Sequence, residues 1–197
     1  MNIILASGSS IRAQMLRNAG LNLEVLPARV DEEAITGALM LGGASPRDIA
    51  DALAESKARK VSARRPDAWV LGCDQVLSIK GECLQKPQTP EDAHAQLQEL
   101  RGQTHQLLSA AVIYQGGEPV WRHVGVARLT MRQFSDSFLD GYVTRNWPGI
   151  SESVGAYKLE EEGVRLFAQV QGDYFTILGL PLLEVLNYLS LRGVIEG

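Results

Sequence analysis

Trp69-Val-Leu-Gly-Cys-Asp-Gln-Val-Leu-Ser78 decides the reading of this chain. Val70 and Leu71 begin a β-rich apolar run, and Val76 and Leu77 resume it. Gly72 lets the strand bend or another backbone come close. Asp74 sits between the two apolar pairs, where a carboxylate is costly to bury without a partner. Two readings are open from this stretch. The acid is satisfied structurally, by a turn or by pairing with Arg or Lys, or it is there for chemistry.

Composition narrows the choice. The chain has 197 residues, 45% hydrophobic and 21% charged, which is ordinary globular composition. That length suits one domain, residues 1–197, or two small lobes around a cleft. The net charge of −4 leaves no basic footprint for nucleic acid, so a bound anion needs local cations. The two cysteines, Cys73 and Cys83, make no disulfide framework. No run approaches the roughly 18 apolar residues of a membrane span, and the N-terminus lacks the basic start of a signal peptide. A cytoplasmic enzyme or binding protein without a membrane partner is expected.

Outward from Asp74 the pattern is α/β. Ile3-Ile-Leu5 reads as a buried strand, Ala6-Ser-Gly-Ser-Ser10 as a turn and N-cap, and Ile11, Met15, Leu16 and Ala19 as one helix face. Strand, Ser/Gly turn and helix together offer backbone N–H groups and a helix dipole to an anion, or simply a βα turn. Arg12 in the first helical turn opposes the dipole and gains most beside an anion. Leu23–Leu26 reads as a strand. Asp31-Glu-Glu33 reads as a solvated turn or, with Asp74, as oxygen ligands for a hard cation. Residues 37–43 read as a small-residue loop. Ser45-Pro-Arg-Asp48 starts a helix carrying Lys57, which snorkels at a surface or binds a ligand. Lys86-Pro87 precedes a second capped helix at Thr89. Gln106–Tyr114, Val120–Val126 and Ala127–Met131 read as successive antiparallel strands, Ser135–Val143 as a helix and Val164–Phe167 as a strand. Gly179-Leu-Pro181 opens a final helix.

The ordered set Leu5-Ala-Ser-Gly-Ser9 with Arg12, Val30-Asp-Glu32, Lys57-Ala58, Gly72-Cys-Asp-Gln-Val76, Lys86-Pro87, Gly102-Gln-Thr-His105, Gly155-Ala-Tyr157 and Gly179-Leu-Pro181 resembles the Maf family of nucleoside triphosphate pyrophosphatases. Each motif alone is weak, but their order over nearly the whole chain is specific. The resemblance implies a single elongated Maf/ITPase-like α/β unit, with a mixed, twisted sheet and flanking helices around a central cleft. It implies a house-cleaning hydrolase that cleaves a nucleoside triphosphate to the monophosphate and pyrophosphate with a divalent metal, Mg²⁺ or Mn²⁺. A homodimer is one assembly the family allows. A dTTP/UTP pyrophosphatase, or a nucleotide-binding regulator of septum formation, is the alternative function.

Gln75 and Glu160 resemble the 7-methyl-GTP branch of the family, whereas Ile11 and Ser10 depart from its usual aromatic residue and proline. Physical chemistry favours the same branch: a carboxylate at Glu160 accepts the N1–H and N2–H₂ donors of guanine and favours a positively charged methylated base. A uracil or thymine edge would leave an acceptor facing it unpaired. The expected roles are then Asp74 as general base; Ser7, Ser9, Arg12, Lys57 and Lys86 on the phosphates; Ile11, Gln75 and Glu160 on the base; and Asp31, Glu32 and Asp74 as metal ligands.

Overall fold

Residues 2–196 are described by the computed structural model. The first half alternates strand and helix: β1 (Ile3–Leu5), α1 (Ser10–Asn18), β2 (Leu23–Val25), then α2 (Glu32–Leu41) and α3 (Pro46–Ser62) before the central β3 (Trp69–Ile79). The second half runs β4 (Glu82–Leu84), α4 (Pro90–Leu100), β5 (Thr104–Gln115), β6 (Glu118–Met131), α5 (Asp136–Asn146), β7 (Phe167–Gln171), α6 (Tyr174–Ile177) and α7 (Leu182–Leu191). The strands form one mixed sheet in the order β2-β1-β3-β5-β6-β7, with β4 paired to β3. β1 runs parallel to β2 and β3, and the later pairings are antiparallel.

β3 alternates its side chains between two helical layers, as the pleat requires. Leu71 and Cys73 pack with Leu16 of α1 and Val185 of α7. Val70 packs on the other side with Ile49, Leu53 and Val61 of α3. Farther along, Leu77 joins a third core with Leu97 of α4 and Tyr142 of α5. A strand buried on both faces reads as a continuous apolar run, which is why Asp74 stands out within it.

The edges of β3 explain the cleft. On one edge it pairs with β5 from Val70 to Ser78. On the other, β1 covers Trp69 to Leu71 and β4 covers Leu77 to Ile79. Residues 72–76 between them have no strand beside them, and Asp74 lies at the middle of that gap. Open α/β sheets bind ligands where neighbouring connections diverge at strand ends, and β1 leads away here into the Ser/Gly turn.

Three local expectations are corrected. Residues 37–43, expected as a loop, lie largely in α2, which Asp31 caps by accepting from the Ala34 N–H at 3.0 Å. Val120–Val126 and Ala127–Met131 are one strand, β6, since nothing between Val126 and Ala127 breaks the ladder. Val164–Phe167 is mostly a 3-10 turn, Glu162–Leu166, and the strand follows it.

Candidate active site

Gly72 sets the distance between α3 and β3. A Cβ on it would lie 2.2 Å from the Ala54 carbonyl oxygen and 2.7 Å from the Ala58 nitrogen. With only hydrogen there, the helix lies against the strand, and Lys57 of α3 reaches Asp74. The Lys57 Nζ donates to Asp74 Oδ1 at 2.5 Å and pairs with Glu32 Oε1, in the first turn of α2, at 2.9 Å. Lys57 and Asp74 are each only 7% exposed, whereas Glu32 is open to the cleft.

Burial raises the Asp74 carboxyl above the ordinary aspartate range, against the opposing charges of Lys57 and Arg12. Burial pushes Glu32 in the same direction, but there Lys57, with Lys86 and Arg12 farther off, outweighs it and holds the acid low. Two carboxylates on one ammonium thus have separate tendencies: Asp74 towards the proton, Glu32 towards ionisation.

The gap in the β3 edge leaves backbone acceptors that a strand would have used. Arg12 takes one: its Nη1 donates to the Cys73 carbonyl at 3.1 Å and to Ser7 Oγ at 3.2 Å, while Nε donates to the Gly179 carbonyl at 2.7 Å. Three parts of the chain meet at one guanidinium. Ser9 caps α1, its Oγ accepting from the Arg12 N–H at 3.5 Å. Ser7 Oγ also accepts from the Ser9 N–H at 3.3 Å.

These groups wall a cleft of about 960 Å³. The structure brings Ser7, Ser9, Ile11, Arg12, Glu32, Lys57, Asp74, Gln75, Lys86 and Glu160 onto its lining. It leaves Asp31 off that lining. Asp31 gives its Oδ1 to the α2 cap, and successive residues of a helical turn point in different directions. Of the expected ligands Asp31, Glu32 and Asp74, the cleft lining carries Glu32 and Asp74. Among the described residues no three His, Cys, Asp or Glu side chains converge as a metal cage. Two carboxylates beside an open cleft still suit Mg²⁺ or Mn²⁺, since Mg²⁺ takes one or two carboxylates and completes its shell with phosphate and water.

A smaller recess of about 50 Å³ adjoins the cleft, walled by Ile11, Leu107, Val154 and Leu178 with Gln75 and Glu160. Gln75 has a more committed role than expected. Its Nε2 donates to Ile177 O at 2.9 Å, Ser109 Oγ at 3.0 Å and Thr176 O at 3.2 Å. It fastens the end of α6, which leads into Leu178 and Gly179, and keeps only its carbonyl for a ligand. Glu160 accepts no hydrogen bond and forms no ion pair among the described residues.

The turn that carries Glu160 is fixed from both sides. Gly155 and Ala156 adopt left-handed conformations, φ 79° and 57°, which turn Tyr157 inwards, where its hydroxyl meets Nε2 of buried His105 at 2.8 Å. Beyond the turn, Glu162 accepts from Arg145 at 2.7 Å, Asn146 at 2.9 Å and Arg165 at 2.9 Å, and these bonds hold its pKa at about 2. Sequence reasoning missed Lys158, which lines both the cleft and the recess. Its place directly after Gly-Ala-Tyr, among acids, was the available signal.

The sequence profile described as Maf-like protein matches residues 2–191. The chain is similar to the nucleoside triphosphate pyrophosphatase of Ruegeria pomeroyi, 61% identical over 194 residues, covering 98% of each chain. It is 51% identical to the 7-methyl-GTP pyrophosphatase of Mesorhizobium japonicum, covering 99% of this chain and 98% of that one. A protein of the same description from Brucella abortus is 44% identical and covers 100% and 99%. Among solved structures, a nucleoside-triphosphatase / dITP/XTP pyrophosphatase from Mycobacterium abscessus aligns over 100% of this chain and 98% of its own, with 13% identity and a TM-score of 0.45.

Proposed function

The chain belongs to the Maf family, and from that premise we propose that it hydrolyses a nucleoside triphosphate to the monophosphate and pyrophosphate at the β3 gap. The observation that carries the proposal is Asp74: a buried carboxylate, pinned by Lys57 through one oxygen, on the wall of a cleft that also gathers Arg12 and Lys86. A raised pKa makes that acid a better proton acceptor near neutral pH. Its role is to take a proton from water as the water oxygen bonds to phosphorus. The α–β anhydride bond breaks, and pyrophosphate leaves with the bridging oxygen. Lys57 keeps Asp74 oriented, and Lys86 with the remaining Arg12 donor neutralises phosphate charge. The Ser7-Gly-Ser9 turn aligns the phosphate chain at the N-terminus of α1.

A divalent cation, Mg²⁺ or Mn²⁺, would be held by Glu32 and Asp74. Its contribution when bound is to offset charge on the phosphate oxygens.

The base end supports a 7-methyl-GTP-like substrate. Glu152, Glu160 and Glu161 stand on the cleft lining there with Lys158 as their cation, so that end is net acidic. A cationic methylated purine suits an acidic end and a neutral pyrimidine gains nothing from it. The two relatives named for 7-methyl-GTP point the same way. The test is pyrophosphate release by the purified chain from 7-methyl-GTP, GTP, UTP and dTTP, with and without Mg²⁺. Release from none of them sinks the enzyme reading, and equal kcat/KM on all four sinks the base preference.

A further inference from the structure

Lys158 is the cation of the cleft wall left without a task. Its side chain is 19% exposed, and its Nζ donates to Glu152 Oε2 at 3.0 Å and lies 3.8 Å from Glu161 Oε1. Partial burial works against its charge, but the bond to Glu152 and the nearby carboxylates of Glu161 and Glu160 outweigh that and keep it protonated.

Its position separates it from the other cations. Lys158 lines the recess as well as the cleft, with Glu160 on the same wall, whereas Arg12, Lys57 and Lys86 line the cleft alone. Lys158 therefore serves the recess end of the cleft.

An ammonium has three N–H donors. Glu152 takes one and Glu161, at 3.8 Å, is beyond a normal hydrogen bond. The turn is tight, since the Glu161 N–H donates back to the Lys158 carbonyl at 3.2 Å, and Lys158 and the free carboxylate of Glu160 line the same recess. The wall thus offers a donor next to an unpaired acceptor pair. Guanine presents the complement along one edge: the O6 acceptor, then the N1–H and N2–H₂ donors.

We infer that Lys158 is a specificity-determining residue that donates to O6 of a 6-oxopurine whose N1–H and N2–H₂ face Glu160. The inference rests on the nucleotide reading of the cleft and adds the residue that reads O6 of the base. Adenine offers a donor where O6 would be, and meets Lys158 with the wrong group.

The experiment compares Lys158→Met with the parent on GTP, ITP and the triphosphate of 2-aminopurine riboside. GTP and ITP carry O6; 2-aminopurine lacks it and keeps the 2-amino group. KM for GTP and ITP should rise roughly tenfold to hundredfold, the worth of a charge-assisted hydrogen bond. Their kcat should hold within about twofold, and the 2-aminopurine nucleotide should not respond. Lys158→Arg should restore most of the lost discrimination.

Equal losses on all three nucleotides, or none on any, overturn the inference. Glu152→Gln breaks the same ion pair from its other end and should keep the O6 preference. If it reproduces the Lys158→Met pattern, Lys158 acts only by holding the turn, and the inference fails. Equilibrium binding of GMP and 2-aminopurine riboside monophosphate separates this inference from the proposed function. A parent that prefers GMP through Lys158 yet releases no pyrophosphate sinks the pyrophosphatase alone. A parent that binds neither nucleotide sinks both.

Discussion

Gly72→Ala tests the packing that sets the site. The added Cβ would lie 2.2 Å from the Ala54 carbonyl oxygen, 2.7 Å from the Ala58 nitrogen and 2.9 Å from the Ala58 Cβ. Two of these are backbone atoms, so no rotamer relieves the clash. Ordinary contact begins at 3.4 Å, so α3 must retreat by about 1 Å. Ile49, Leu53 and Val61 of α3 are buried against the sheet and would lose contact with it. Overpacking of this kind costs about 1–3 kcal/mol, and at this chain length each kcal/mol lowers Tm by about 2–4 °C. The retreat also carries Lys57, which lies between Ala54 and Ala58, away from Asp74. Its flexible stem recovers part of the distance. Since a misplacement of about 1 Å can cost a hundredfold, kcat/KM should fall by about 10- to 100-fold. Calorimetry and steady-state pyrophosphate release measure the two effects. Gly37→Ala is the control: it lies within α2 with nothing within 4 Å of its Cβ, and should stabilise by up to about 1 kcal/mol. A Gly72→Ala protein with parental Tm and kcat/KM would refute the view that close helix approach positions Lys57.

Asp74→Asn should fold, because Lys57 keeps Glu32 as a partner, and should lose about 10²–10⁴ in kcat; parental turnover would remove Asp74 from proton transfer. Glu160→Gln should raise KM for 7-methyl-GTP about tenfold more than for UTP, and equal changes would end its specificity role. Burial lowers the His105 pKa from 6.5 to about 4, so the folded state favours the neutral ring. That stability is fully present above pH 6.5 and is lost as pH falls to 4, by up to about 3 kcal/mol. Denaturant titrations should show the slope, and His105→Phe should flatten it; an unchanged slope would assign acid sensitivity elsewhere.

What the sequence disclosed follows from how local each signal is. Asp74 was legible because an acid inside an apolar run conflicts with its surroundings. The capped starts of α3 and α4 were legible because Ser45 with Asp48, and Thr89 with Asp92, form reciprocal bonds within one turn. The β3 gap was not legible, because it depends on where two other strands stop. The Lys57–Asp74 pair was not either: sequence names the residues, but their distance depends on a missing Cβ at Gly72. α2 was misread because Gly37, Gly42 and Gly43 suggest a loop. The counter-signal was Asp31 followed by Glu32 and Glu33, an N-cap and an acidic first turn. The same cap engages Asp31 through Oδ1, a local use of the acid that its place in a run of three acids did not distinguish from metal binding. Gln75 carried no hint in sequence that its nitrogen would be spent on the carbonyls of α6.

The polarity of the cleft bears on how an acidic chain holds an anionic substrate. With a net charge of −4 the far field repels a triphosphate. Charges beyond about 8 Å are largely screened at physiological salt, so attraction must come from groups at contact. Arg12 shows what this requires. Its guanidinium is fastened to Ser7, Cys73 and Gly179 before any ligand arrives, so little side-chain freedom remains to be lost on binding. Lys57 is likewise held by Asp74 and Glu32. Lys158 on the recess wall is likewise fastened, by Glu152, within a net-acidic group of side chains. A nucleotide with an anionic tail and a cationic ring meets complementary charge at both ends, whereas an unmodified nucleotide meets it at one. Preference for a methylated purine should therefore weaken as salt rises, but only modestly, because contacts this close are the least screened.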